Sequence, residues 1–190
     1  NGNGRLTLTG ANTYTGTTTV SDGDIDISGN GDLSDSTAIT VDSGAKLTLF
    51  KSVTAGSIAG AGNILINTNK NTVFKVGGSN ANTTYSGIMS GHGQLHKEGS
   101  GNLTLSGANT HRHTKIIAGK ITLGAAGVLS DSGVVQLVNT SGAILDLNGN
   151  NENIGLLFGG GSSGGNITLG SGNLTIDSRA ATGLSQDSTY

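Results

Sequence analysis

Residues Ser100–Thr110, SGNLTLSGANT, nearly repeat Asn3–Thr13, NGRLTLTGANT. Leu6 and Leu103, Leu8 and Leu105, and Asn12 and Asn109 each stand 97 positions apart. The correspondence continues with small slips. Asp32–Ser36 (DLSDS) meets Val128–Ser132 (VLSDS) at 96, and Gly44–Leu49 (GAKLTL) meets Gly142–Leu147 (GAILDL) at 98. A self-match at a fixed period marks repeat architecture, in which each unit packs on its neighbours rather than around one central core. The chain therefore reads as one β-helical segment over 1–190, with an internal unit at 1–97 and an incomplete second at 98–190.

Within each unit the apolar residues come in short alternating runs. Leu6-Thr7-Leu8, Ile25-Asp26-Ile27, Ile39-Thr40-Val41 and Leu47-Thr48-Leu49 are followed by Ile64-Leu65-Ile66 and Val73-Phe74-Lys75-Val76. The second copy replays them as Leu103-Thr104-Leu105, Ile121-Thr122-Leu123, Val135-Gln136-Leu137 and Leu145-Asp146-Leu147. A period of two is the strand signature, and no window sustains a helical period. Glycine makes up 34 of the 190 residues, against a usual share of about 7 %. A formal net charge of −2 and the regular apolar alternation argue against disorder. Runs this short, separated by varied corners, suit neither a sandwich nor a hairpin meander. They suit an all-β parallel β-helix (a β-solenoid), in which short strands stack coil upon coil at roughly 4.8 Å. Coils of about 20 residues predict about nine coils and a rod on the order of 40 Å long. Leu6, Leu8, Ile25 and Ile27 should point inward, as should Leu103, Leu105, Ile121 and Leu123, with Thr104 outward.

With no cysteine, disulfides and cysteine-based metal or redox motifs are excluded. No apolar run is long enough for a membrane helix, and the start carries no signal-peptide pattern. The overall charge balance gives no electrostatic footprint for nucleic acid. Asn1 opens in mid-pattern, and Ser188-Thr189-Tyr190 aligns with Thr83-Thr84-Tyr85. The chain is thus expected to be part of a longer one, with the strongest amide protection around Leu95–Leu123 and the least towards its ends.

The strings at Leu6–Gly23 and Thr83–Thr110 resemble the passenger-associated transport repeat, the β-strand repeat of bacterial autotransporter passengers. Its YSG, GxGxL, GSGxLTLTGANTYTG and VxxG elements are matched at Tyr85-Ser86-Gly87, Gly91–Leu95, Gly99–Thr110 and Val20–Gly23. His111-Arg112-His113 replaces Tyr14-Thr15-Gly16 in the second copy. The resemblance implies a right-handed β-helix exposed at the cell surface. Its implied partners are further coils and a C-terminal membrane barrel of the same parent chain.

Several residue patterns invite chemistry. Gly160-Gly161-Ser162-Ser163-Gly164 has the spacing of a nucleophile elbow, and Gly159–Gly164 fits GxGxxG, but each needs a helix to follow. The sequence there predicts a loop and then a strand. His92, His96, His111 and His113, with Glu98 nearby, are candidate zinc ligands if neighbouring coils bring them together; the alternative is a set of solvent-facing corner residues. Asp22-Gly23-Asp24 and Ser34-Asp35-Ser36 suggest calcium but lack the regular nonapeptide of calcium-binding rolls. Asn-x-Thr triplets such as Asn82-Thr83-Thr84 arise by composition. Threonine rows that could order ice are broken by Asp26, Lys75, Gln136 and Asp146. The reading is a non-enzymatic stalk and folding-secretion module with no catalytic, metal or cofactor residues and no small-molecule substrate. The alternative is an adhesin module for host or neighbouring cells, or for self-association.

Overall fold

The computed structural model describes residues 4–178 except 68; Ser188-Thr189-Tyr190 lies outside the described residues. Among these residues the chain is all-β, without a helix, and its parallel strands stack as a β-solenoid of about eight turns.

Three sheets form the faces of the rod. Face one stacks Arg5–Leu8, Asp24–Ile27, Lys46–Leu49, Asn63–Ile66 and Met89–Ser90. Face two stacks Val53–Ala55, Val73–Val76, Gln94–Lys97, His113–Ile116, Val134–Leu137 and Leu156–Gly159. Face three is the longest, running from Thr18–Val20 through Asn102–Leu105 and Lys120–Leu123 to Asn166–Thr168. A separate pair, Glu152–Ile154 and Leu174–Ile176, takes in chain order the place face one holds in earlier coils. Backbone bonds carry that column across the gap, since the Thr110 amide reaches the Met89 carbonyl and the Asn109 amide reaches that of Val128. The described residues make about eight turns where about nine are expected of the whole chain, and the coils are uneven. Leu47 pairs with Ile64, 17 residues on, whereas Ile64 pairs with Met89, 25 on.

Alternation places the core as expected in the middle of the rod. Leu103, Leu105, Ile121 and Leu123 are buried and stack on one another, while Thr104 faces outward between them. In the first coils Ile27 is buried, Ile25 and Leu8 are half-buried, and Leu6 is 54 % exposed. Leu6 keeps the inward register, pairing with Ile25, which pairs with Leu47. The expectation of an inward Leu6 thus holds for register but not for burial, because among the described residues no layer packs on its outer side.

The 97-residue match is not a match of faces. From Leu6, face one recurs at Ile25, Leu47, Ile64 and Met89, four coils on. The chain then crosses Gln94–Lys97 on face two before it reaches Leu103 on face three. Ile39–Val41 on face three likewise corresponds to Val135–Leu137 on face two. The same sequence builds a strand and corner equally well on different faces. That is possible because stacking asks of each strand only an inward apolar pair and a free ladder on either side.

Candidate functional site

The residues shared with the repeat pattern sit at corners and tie one coil to the next. Asn109 is buried; its Nδ2 donates to the Gly107 and Val128 carbonyls at 2.8 and 3.0 Å, and its Oδ1 accepts from the Met89 amide at 2.7 Å. One side chain thus satisfies backbone groups in three coils. Asn12, its counterpart, repeats half of this, with Nδ2 donating to the Gly10 and Asp32 carbonyls at 2.9 Å each. Buried main-chain groups at a corner have no ladder partner, and an amide side chain carries both the donor and the acceptor needed to replace one.

Tyr85 of the YSG element is fully buried, and its hydroxyl donates to the Gly62 carbonyl at 2.7 Å. Burial pushes that hydroxyl's pKa well above its ordinary value, so it stays a donor. Gly87 and Gly107 stack beneath: a Cβ on Gly87 would run into the Gly62 carbonyl, and one on Gly107 into the Gly87 carbonyl. Close backbone approach is what these glycines supply. In the VxxG element Asp22 Oδ1 accepts from the Gly23 amide at 2.8 Å, holding a turn in which Gly23 has φ of +70°.

Two charged residues that the sequence did not single out are buried. Lys97 takes an inward position on face two and is 1 % exposed. Its Nζ donates to the carbonyls of Glu98, Gly99 and Ala118 at 2.6, 2.9 and 3.3 Å, clamping two successive corners. Burial lowers its pKa to about 8. Glu152 accepts from the Val128 and Leu129 amides at 2.8 and 3.3 Å. Its pKa is raised, chiefly by burial and against those amide bonds. Lys97 breaks the apolar alternation at Leu95-His96-Lys97, as Glu152 does before Ile154, and that interruption was the available signal.

The histidines divide. His92 is exposed at a corner, in line with the solvent-facing reading. His111 corrects it: this side chain is buried, with Nε2 2.7 Å from Thr114 Oγ1 and Nδ1 unpartnered. This corner stacks on a preceding coil, the His111 amide reaching the Met89 carbonyl at 3.3 Å. His96 and His113 meet instead on face two, ring centroids 6.3 Å apart. All three are held to a pKa of about 4, first by burial; neighbouring Lys115 adds to this for His96 and His113. Glu98 is engaged by Lys75 at 3.6 Å, and no group of three or more metal-ligating side chains forms among the described residues.

At the glycine run, Leu156–Gly159 ends in a tight turn closed by the Gly161 amide on the Gly164 carbonyl at 2.9 Å, and the strand Asn166–Thr168 follows. Ser162 lies exposed in that turn, with no helix after it. Around the aspartate turns, Asp24 meets Arg5 at 3.4 Å and Ser34 Oγ meets Ser36 Oγ at 3.0 Å. Register places Asp146 in the outward row of Thr104, Thr122 and Thr168, interrupting the threonines as expected.

The passenger-associated-transport-repeat family matches residues 1–27 and 95–130. These include the Asn12 and Asn109 corners. An adhesin autotransporter of Brucella suis biovar 1 (strain 1330), BmaC, is 42 % identical over 103 residues. The aligned part is 54 % of this chain and 3 % of that protein's length. No solved structure matches the chain. Two stretches of the chain, which hold the Asn12 and Asn109 corners, thus carry the passenger-associated transport repeat of autotransporters.

Proposed function

We infer that this segment is a non-enzymatic stalk and folding module of an autotransporter passenger, displayed on the cell surface by a C-terminal barrel of the parent chain. Units 1–97 and 98–190 would lengthen the same rod. The observation that carries this reading is the corner machinery: Asn109, Tyr85, Lys97 and Glu152 each satisfy main-chain groups of an adjacent coil, so a coil completes its hydrogen bonds only once its neighbour is in place. Such a stack grows by templating on the last folded coil. Growth outside the membrane would draw the unfolded remainder across and oppose its return.

The test is surface display of the parent protein carrying Leu105→Asp with Leu123→Asp, which puts two carboxylates into the apolar stack. External protease should find the passenger stalled or degraded, while the barrel still inserts. Display at the normal level by a segment shown to be unfolded would overturn the role in export. A second reading, adhesion, is favoured by the likeness to the Brucella protein, which is named an adhesin.

A further inference from the structure

The near-neutral total conceals a strong division of charge. Between Asp42 and Asp131 the only acidic residue is Glu98, yet eight of the ten lysines and arginines lie in that stretch. Folding collects five of them on face two and the edge that leads into it: Lys51, Lys70, Lys75, Arg112 and Lys115. Lys51 meets Asp32 at 3.7 Å and Lys75 meets Glu98 at 3.6 Å. Lys70, Arg112 and Lys115 have no carboxylate within ion-pair distance among the described residues.

The outward row of this face is in register from coil to coil: Thr54, Lys75, His96, Lys115, Gln136, Phe158. Lys75 and Lys115 are two coils apart, roughly 10 Å at the spacing of stacked strands. His113 bridges the aromatic part of the face, 6.3 Å from His96 and 6.1 Å from Phe158. Phe158 is 37 % exposed. Gln94 is held in place, Nε2 donating to the Lys70 carbonyl at 2.9 Å and Oε1 3.0 Å from His96 Nε2. The face thus carries Lys75 and Lys115 in one outward row with His96 between them and Phe158 beyond, and Lys70 and Arg112 at the edge where its strands begin.

We propose that face two, centred on Lys75, Arg112 and Lys115, binds a linear anionic polysaccharide laid along the rod axis. Its sulfate or uronate groups meet the cations, and its sugar rings pack on the Phe158 and histidine rings. A flat strand row matches one line of repeated charge. A nucleic-acid duplex presents its phosphates on two strands around grooves. Single-stranded bases need successive parallel ring faces, whereas His96 and His113 stand at 73° to each other. The proposal deepens the adhesive reading and does not depend on the export role, so either can fail alone.

Heparin is the probe, with hyaluronan and single-stranded DNA of similar charge as comparators. The chain should bind heparin at about 50 mM salt, and binding should weaken linearly in log–log form as salt rises. Lys75→Ala with Arg112→Ala and Lys115→Ala should weaken binding at least about tenfold and reduce the salt slope by about 2–3, one per cation removed. Arg5→Ala with Lys46→Ala and Lys120→Ala removes the same charge from the other two faces and should change binding less than about twofold. Phe158→Ala should weaken binding without changing the slope. Lys115→Ala alone gives the first result at smaller size should the triple variant lose its fold. Hyaluronan binding that is also lost in the face-two variant would extend the ligand from sulfates to uronates. The proposal falls if heparin does not bind, if the two triple variants lose affinity equally, or if DNA binds as tightly. It falls too if the face-two variant instead abolishes association between copies of the chain in the absence of glycan, for then the face meets a second copy.

Discussion

The two GANT corners begin from nearly the same sequence and end in different surroundings. Around Asn12, Leu6 is 54 % exposed and Tyr14 43 % exposed, with the Tyr14 hydroxyl 2.9 Å from Thr18 Oγ1. Around Asn109, Leu103 and the Tyr14 counterpart His111 are each 2 % exposed, and His111 reaches Thr114 instead. Asn109 completes three hydrogen bonds, one of them to the coil on its N-terminal side, where Asn12 completes two. The difference teaches that the motif specifies a corner, while its energetic weight comes from how many layers close over it.

The largest contrast should lie in the leucines. Leu105→Ala leaves a cavity in a stack covered on both sides and should cost about 2–5 kcal/mol in urea unfolding. Leu6→Ala should cost less than about 1 kcal/mol, since most of that side chain already meets water. Thr104→Ala, between the two buried leucines but outward, should stay within about 0.5 kcal/mol. Equal losses at Leu6 and Leu105 would break the comparison.

The asparagines come next. Asn109→Ala strands the buried Met89 amide and removes both donated bonds, so a loss of about 2–3 kcal/mol is expected. Asn12→Ala, in a part-exposed corner that water can reach, should lose about 1 kcal/mol. Hydrogen exchange at the Met89 amide reads the local effect directly: it should speed up in the Asn109 variant and not in the Asn12 variant.

A pH-dependent effect sharpens the contrast between Tyr14 and His111. Burial holds His111 to a pKa of about 4, below the ordinary value near 6.5. Between those values the unfolded chain takes up a proton that the folded corner refuses. Stability is therefore fully present above about pH 6.5, falls as pH drops towards 4, and levels off below. The loss from His111 by pH 4.5 should be on the order of 2 kcal/mol. His96 and His113 act in the same direction, and the raised pKa of Glu152 acts against them. His111→Tyr, which restores the residue of the first corner, isolates the His111 share: unfolding midpoints at pH 7 and 4.5 should converge in that variant relative to the parent. An unchanged pH dependence would mean His111 is solvated in the folded chain.

The sequence by itself determined the class of fold and, in the runs that alternate, which side chains point inward. Alternation every second residue leaves one way to bury Leu103 and Leu105 with Thr104 outside, and the 97-residue match announces stacking. It also held the division of charge, which only the total concealed. What the tertiary structure decided is everything that depends on a neighbour some 20 residues away. It turned His111 inward, seated Lys97 among three carbonyls, and brought His96 beside His113. It also carried the second copy to a different face of the rod. None of these follows from local pattern, because corner lengths vary. The coil-to-coil interval ranges from 17 to 25 residues, and the sum of those intervals sets which side chain lies over which.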